Sequence, residues 1–215
     1  MAKTVVVIGA GGHGKVVVST LQEAGLIVDA IYDDRSQLWG SQILGVRVCG
    51  PIAELANSPS EFAGVVGIGD GRIRQRLVNS LKIDWLTAIH PQAYVHHSAK
   101  IGRGTVVFAG AVVQPNATIG EHVIVNTCAS VDHDCQIDDF VGLGPGTHLS
   151  GSVKIARRSL LGTGCCVLPN VRIESDVTVG AGTVVIHDVP SGCTIVGPAP
   201  RIIQNASQSE PNKAA

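Results

Sequence analysis

Residues 119–137 read IGEHVIVNTCASVDHDCQI, and in them an aliphatic side chain returns at every sixth position: Ile119, Val125, Val131 and Ile137. Stepping outward in both directions keeps this register from Val95 to Val185, sixteen aliphatic residues without a gap. The fourth residue after each is small, β-branched or cysteine, as at Ala99, Thr105, Ala111, Cys135, Val141, Ser159 and Cys165. A period of six belongs neither to an α-helix nor to a flat strand. It fits a triangular coil in which each hexapeptide forms one side, the aliphatic residue points inward and the small residue fits the corner. Three hexapeptides close one coil of eighteen residues, so the register spans slightly more than five coils. The expected fold of residues 91–204 is therefore an all-β left-handed parallel β-helix, an exception to the right-handed rule for parallel crossovers. A β-sandwich would require irregular turn spacing, which this stretch lacks.

Residues eighteen apart stack in neighbouring coils, about 4.8 Å apart. His133, third in the hexapeptide VDHDCQ, therefore shares a face with Gly151, third in LSGSVK. Asp134 follows His133 directly, and Asp132 precedes it. Acyl transfer to an amine needs a base for the amine proton and a donor for the developing oxyanion. Histidine titrates near neutrality and suits the first role. A neighbouring carboxylate, Asp134 or Asp132, would orient its ring. Glycine carries no side chain, so the Gly151 N–H is expected to lie open for the second role. The other histidines read more blandly. His96, His97, His122 and His187 fall at outward positions and are expected to be solvated, His148 lies closer to His133, and His90, before Pro91, is expected at a domain junction.

The first ninety residues follow another pattern. Thr4–Ile8 is a continuous apolar run, the mark of a buried parallel strand. It stops at Gly9-Ala10-Gly11-Gly12-His13-Gly14, after which a helix is expected from Lys15 to about Ala24. A second apolar run, Ile27–Tyr32, ends in Asp33-Asp34. A third, Val65–Ile68, ends in Gly69-Asp70-Gly71 ahead of a basic helix from Arg72 to about Leu81, and Trp85–Ile89 reads as a last strand. This is a Rossmann-like α/β pattern whose glycine-rich first turn suits a phosphate. Ligands of open α/β sheets bind beyond the carboxyl ends of the strands, where Gly11, Gly12, His13, Gly14, Asp33, Asp34, Gly69 and Asp70 all fall. The region is too short for a full dinucleotide fold, which disfavours an NAD enzyme.

The whole composition fits this division. In 215 residues, 45% are hydrophobic, which is enough for a real core, and the net charge of −1 announces neither nucleic acid nor anionic lipid. Aromatic residues make up 3%, which leaves no base-stacking platform. The six cysteines form no CxxC pair and no common zinc pattern, so free and mostly buried thiols are expected, with no metal. MAKTVVVIGAGG carries an apolar run of only five residues before glycine, so neither a signal peptide nor a membrane span is expected, and the location reads as cytoplasmic. Residues 205–215 are polar and read as a disordered tail.

The motifs IGAGGHGKVV, Asp33-Asp34, IGDGRIRQ, AIHPQAYV, NTCASVDHDC and IVGPAPRII together resemble the PglD/NeuD/PerB-type family of sugar acetyltransferases, over nearly the whole chain. The resemblance implies an acetyl-CoA-dependent N-acetyltransferase acting on the 4-amino group of a UDP- or GDP-linked 4-amino-4,6-dideoxy sugar for bacterial glycans. It implies His133 as base with Asp134 beside it, Gly151 as oxyanion donor, and Asn126 near the sugar. The Gly11–Gly14 loop, Asp33-Asp34 and the Gly69-Asp70 turn would hold the nucleotide. CoA would run along the coils towards the C-terminal end, by Gly151, Gly164, Gly197 and Pro198, at the interface of a homotrimer whose sites are shared by two subunits. Related sequences often carry a second histidine nine residues after the first, where this chain has Gly142. His148 is a candidate to compensate.

Three other readings remain open at this level. The same base would serve an O-acetyltransferase acting on sialic acid. A γ-type carbonic anhydrase uses the same coil with three histidines on a metal between subunits, but leaves residues 1–90 without a purpose. A non-catalytic sugar-nucleotide binder would bind without turnover.

Overall fold

The computed structural model describes residues 3–57 and 59–197. The first part is an α/β unit of β1 (Thr4–Ile8), α1 (Gly12–Glu23), β2 (Ala30–Tyr32), β3 (Gln42–Ile43), β4 (Val46–Gly50), β5 (Phe62–Val66), α2 (Gly71–Ser80) and β6 (Asp84–Trp85). The sheet order is β3-β4-β2-β1-β5-β6, parallel except for the β3–β4 hairpin. Val6, Val7 and Ile8 of the central β1 are fully buried, as a strand covered on both faces requires. The helix α1 begins at Gly12, three residues earlier than expected, so the glycine-rich turn itself supplies its first turn. Of the run Ile27–Tyr32 only Ala30–Tyr32 is strand, and the third strand ends at Val66 rather than Ile68.

The expected last strand, Trp85–Ile89, is split between two sheets. Asp84–Trp85 pairs with β5, whereas Ala88–Ile89 pairs with Val106–Val107 and forms the first rung of a three-faced parallel β-helix. Its first face runs through Ala88–Ile89, Val106–Val107, Ile124–Val125, Gly142–Leu143, Leu160–Leu161, Thr178–Val179 and Thr194–Ile195. The second face runs from Tyr94–Val95 through Ser130–Val131 and His148–Leu149 to Val184–Val185. The third runs from Lys100–Ile101 through Gln136–Ile137 to Arg172–Ile173. Rungs pair with an offset of eighteen, such as Ser130 with His148 and Val131 with Leu149.

The inward residue of each rung and the fourth residue after it together form one core that runs along the coil axis. Each buried aliphatic there contributes roughly 1.5–3 kcal/mol. Polar corner residues are satisfied by the next coil: Thr105 Oγ1 donates to Gly120 O at 2.8 Å and Ser159 Oγ to Glu174 O at 2.7 Å. A second six-residue period appears only in the backbone. From position 104 to 182, every sixth residue has φ between +54° and +71°, whether glycine or not. Non-glycine residues pay for this left-handed corner with strain, and the corner N–H compensates by bonding the preceding coil, as Asp134 N does to Pro115 O at 3.1 Å. The last coil is shorter by two residues. Val189, expected at a corner, bridges Ile173, and Thr194 pairs with Thr178.

The cysteines depart from expectation. Cys135 and Cys165, at fourth positions of the repeat, are buried, but Cys49 and Cys128 are exposed and Cys166 and Cys193 half-buried, Cys193 packing against the end of the coil core. The expected tail at 205–215 lies outside the described residues. Among those described, no helix is long and apolar enough to cross a membrane.

Candidate active site

His133 stands at the corner between the second and third faces. Its Nδ1 lies 2.8 Å from Asp134 Oδ2, and this bond raises the imidazole pKa above its ordinary value while lowering that of Asp134. Asp132 is otherwise engaged, accepting the His133 backbone N–H at 2.7 Å, so Asp134 is the residue that orients the ring. With Nδ1–H given to the carboxylate, Nε2 is the free basic nitrogen. The ring covers Gly151, where a Cβ would stand 2.6 Å from Nε2. Gly151 is consequently buried rather than open. Its carbonyl accepts from Asn170 N at 3.1 Å, and its own N–H has no acceptor among the described residues.

The adjoining second face carries His148 on the rung beside Ser130, with Nδ1 to Ser130 Oγ at 2.8 Å. Gly142, at the position of the family's second histidine, lies on the first face. It is buried, and a Cβ there would meet Leu160 Cδ1 at 3.0 Å. Asn126 is half-buried at the corner between the first and second faces, one coil on from Phe108, and its Oδ1 accepts from Thr127 N at 2.8 Å.

A second concavity, about 400 Å³, opens beyond the carboxyl ends of β1, β2 and β5. It brings together Gly11, Gly12, His13, Asp33, Asp34 and Gly69, as the sequence predicts. Asp33 ties the glycine turn down: Oδ2 accepts from Ala10 N at 2.7 Å, and Oδ1 accepts from Arg35 N and Nε at 2.9 and 2.8 Å. The Arg35 bonds, with that from Ala10, hold the Asp33 pKa at about 2. Asp34 accepts from Ile52 N at 2.9 Å. Arg35 also borders the cavity and was missed in the sequence, although it follows Asp33-Asp34 directly and its cation suits a phosphate. His13 packs on Phe108 of the β-helix, ring centroids 5.3 Å apart. Burial, helped by the nearby Arg74 charge, pushes its pKa down to about 4, and its Nε2 is buried without a partner.

Two predicted residues stand apart from this cavity. Gly14 is packed against the Gly9 carbonyl, where a Cβ would collide, so its smallness serves helix–strand packing. The Asp70 carboxylate caps α2, accepting from Ile73 N at 2.9 Å, and lines a separate open groove with Arg72, Arg76 and Arg158. Of the residues assigned to CoA, Gly164 is an open left-handed corner at φ +70°, Gly197 donates its N–H to Thr183 Oγ1 at 2.9 Å, and Pro198 lies outside the described residues. His122, expected in solvent, is 1% exposed because the α/β unit docks on its corner; it lies between Trp85 and Phe140. Among the described residues no three His, Cys, Asp or Glu side chains gather as a metal cluster.

Residues 4–81 match the family model described as the PglD N-terminal domain. UDP-N-acetylbacillosamine N-acetyltransferase of Bacillus subtilis (strain 168) is 36% identical over 112 residues, covering 50% of this chain and 52% of that protein; the chain thus spans only about half of this curated relative. Among solved structures, PerB from Caulobacter crescentus, in complex with CoA and GDP-perosamine, superposes with a TM-score of 0.84 at 38% identity, covering 92% of this chain and 95% of that one. The acetyltransferase domain of PglB from Neisseria gonorrhoeae FA1090 superposes with a TM-score of 0.85 at 42% identity, covering 91% and 97%.

Proposed function

The chain belongs to the PglD- and PerB-type family of sugar acetyltransferases, and from that premise we propose that it moves the acetyl group of acetyl-CoA onto the 4-amino group of a nucleotide-linked 4-amino-4,6-dideoxy sugar, in the cytoplasm, for a bacterial surface glycan or glycoprotein. The observation that carries this reading is the His133 imidazole, held by Asp134 with Nε2 free, over a glycine whose N–H has no acceptor among the described residues. Nε2 takes the proton as the amine attacks the thioester carbonyl. The Gly151 N–H receives the oxyanion of the tetrahedral intermediate. Collapse breaks the C–S bond, and the imidazolium returns its proton to the CoA sulfur. No covalent acyl-enzyme is needed.

The α/β unit, a Rossmann-like domain in this reading, holds the nucleotide by the Gly11-Gly12-His13 turn, with Arg35 beside the phosphates. The sugar then leaves past His13 and Phe108 towards Asn126. His133 occupies a different corner of the same coil, which favours a homotrimer in which the nucleotide cavity of one subunit serves the His133 corner of the next. CoA lies along the coils of that interface, past Gly164 and Gly197 to Pro198.

The test is release of CoA thiol from acetyl-CoA with UDP-, GDP- and dTDP-linked 4-amino sugars, with sialic acid as a hydroxyl acceptor, for the wild type and His133→Ala. Turnover on one amino sugar, lost in the variant, is the expected result. Turnover on sialic acid alone moves the protein to O-acetylation, and no turnover on any acceptor overturns the reading.

A further inference from the structure

Arg74, on α2, is 2% exposed and fully inside the molecule. All five of its N–H donors are used. Nη1 donates to the carbonyls of Ile68 at 3.2 Å and Gly69 at 2.6 Å. Nη2 donates to those of Phe140 at 2.8 Å and Val141 at 3.1 Å, and Nε to that of His122 at 3.0 Å. A guanidinium has five donors, so none is left over. Among the described residues Arg74 makes no ion pair; its partners are backbone carbonyls alone.

Those carbonyls belong to two places. Ile68 and Gly69 line the nucleotide cavity. They lie past the end of β5 and past its last ladder bond to β1, Gly67 N to Ile8 O at 2.7 Å, so the sheet no longer fixes them. His122, Phe140 and Val141 belong to one β-helix corner, in two successive coils. The same corner crowds the start of α2, where a Cβ on Gly71 would stand 2.6 Å from Phe140 O. A buried cation without a carboxylate is a costly way to join two units, since apolar packing of equal volume does so more cheaply. What apolar packing cannot do is orient particular carbonyls.

We propose that Arg74 is a positioning residue: its guanidinium fastens the Ile68–Gly69 wall of the nucleotide cavity to the β-helix and so sets where the nucleotide-linked substrate is held relative to the coils. This rests on the nucleotide-sugar reading above. Lysine, a point charge with three donors, cannot reproduce the five-bond fork. An error of an ångström in such a wall is expected to weaken binding by about tenfold or more.

The experiment is calorimetric titration of the wild type, Arg74→Lys and Arg74→Met with UDP, GDP and dTDP, and separately with acetyl-CoA. The KM and kcat for the accepted nucleotide sugar are measured alongside. The expected result is nucleotide affinity lowered by about tenfold or more in both variants, KM raised and kcat lowered for the nucleotide sugar because it is misplaced relative to the coils, and acetyl-CoA affinity intact. Nucleotide binding at wild-type strength in a folded Arg74→Lys overturns the proposal. Equal loss of nucleotide and acetyl-CoA binding, or failure of both variants to fold, overturns it too, because Arg74 then serves the whole fold. Should Arg74→Met alone fail to fold, Arg74→Lys decides. Absence of nucleotide binding in the wild type instead overturns the functional reading on which this inference rests.

Discussion

His133 and Asp134 are consecutive in the chain, yet their side chains meet, Nδ1 to Oδ2 at 2.8 Å, where Asp134 adopts φ +59°. In an extended strand neighbouring side chains point to opposite faces. The left-handed corner instead folds the carboxylate back onto the preceding ring. The repeat that builds the coil thus also brings an imidazole and a carboxylate together from adjacent positions.

The acid bond gives the first prediction. A protonated His133 cannot accept the amine proton, so the rate should rise with pH. The bond to Asp134 raises the imidazole pKa, which places the midpoint of that rise above the ordinary value of 6.5. Asp134→Asn keeps a residue that tolerates φ > 0. It should move the midpoint down towards 6.5 and lower the plateau kcat, while His133→Ala removes about 10²–10⁴-fold of rate. A pH profile of kcat for the three proteins checks this; an unmoved midpoint in Asp134→Asn counts against the pairing.

Gly151→Ala tests the stack from the other side. Gly151 is not among the left-handed corners, so alanine brings no backbone strain there. Its Cβ would press on the ring, 2.6 Å from Nε2, and the exposed imidazole would swing away rather than the coil yield. The expected outcome is a thermal midpoint close to wild type with kcat reduced about 10²-fold. A fully active Gly151→Ala would remove Gly151 from the mechanism.

The proposed nucleotide cavity is tested at Asp33, which lines it. Asp33→Ala leaves the half-buried Ala10 N–H without its acceptor and frees Arg35 from its two-point grip, loosening the glycine turn. KM for the nucleotide sugar should rise more than KM for acetyl-CoA. Steady-state kinetics with each substrate varied in turn would detect the asymmetry, and equal changes would argue against a nucleotide role.

What could be read from the sequence follows from where the determining forces lie. The rungs, their eighteen-residue stacking and the His133–Gly151 pair are local and periodic, so arithmetic on positions finds them. The corner strain was not legible, because residues as different as Phe140, Arg158 and Asn170 share one φ that is set by the coil and not by the side chain. Arg74 and His122 were not legible either, since both are polar residues on outward or helical positions that only docking of the two units buries. One signal for Arg74 was present: it heads the stripe 74, 77, 78 on α2, whose other members, Leu77 and Val78, are apolar, with apolar Leu81 just past the helix end. The β3–β4 hairpin around Leu44-Gly45 was missed because β3 is only two residues long, although Val46–Gly50 alternates buried and exposed and both turn residues adopt φ > 0, as a type I′ hairpin requires.

The buried histidines give the last prediction, with its sign fixed by burial. His122 has both ring nitrogens buried without partners, and desolvation with the nearby Arg74 and Arg103 charges pushes its pKa to about 4, as burial does for His13. In the unfolded chain each titrates near 6.5, so below that pH the unfolded state binds protons that the folded state refuses. The contribution of these two histidines should therefore be flat above about 6.5 and turn destabilising as pH drops towards about 4. His122→Phe removes one of the two groups and both orphaned nitrogens, while keeping a ring to stack on Phe140, 5.4 Å away and parallel within 3°. Urea unfolding at pH 7.5 and 5.0, at one protein concentration, should show a smaller pH dependence for His122→Phe and no loss of stability at pH 7.5. An unchanged pH dependence would mean that His122 takes up its proton in the folded state without penalty, and that the junction between the two units is wetter than its packing indicates.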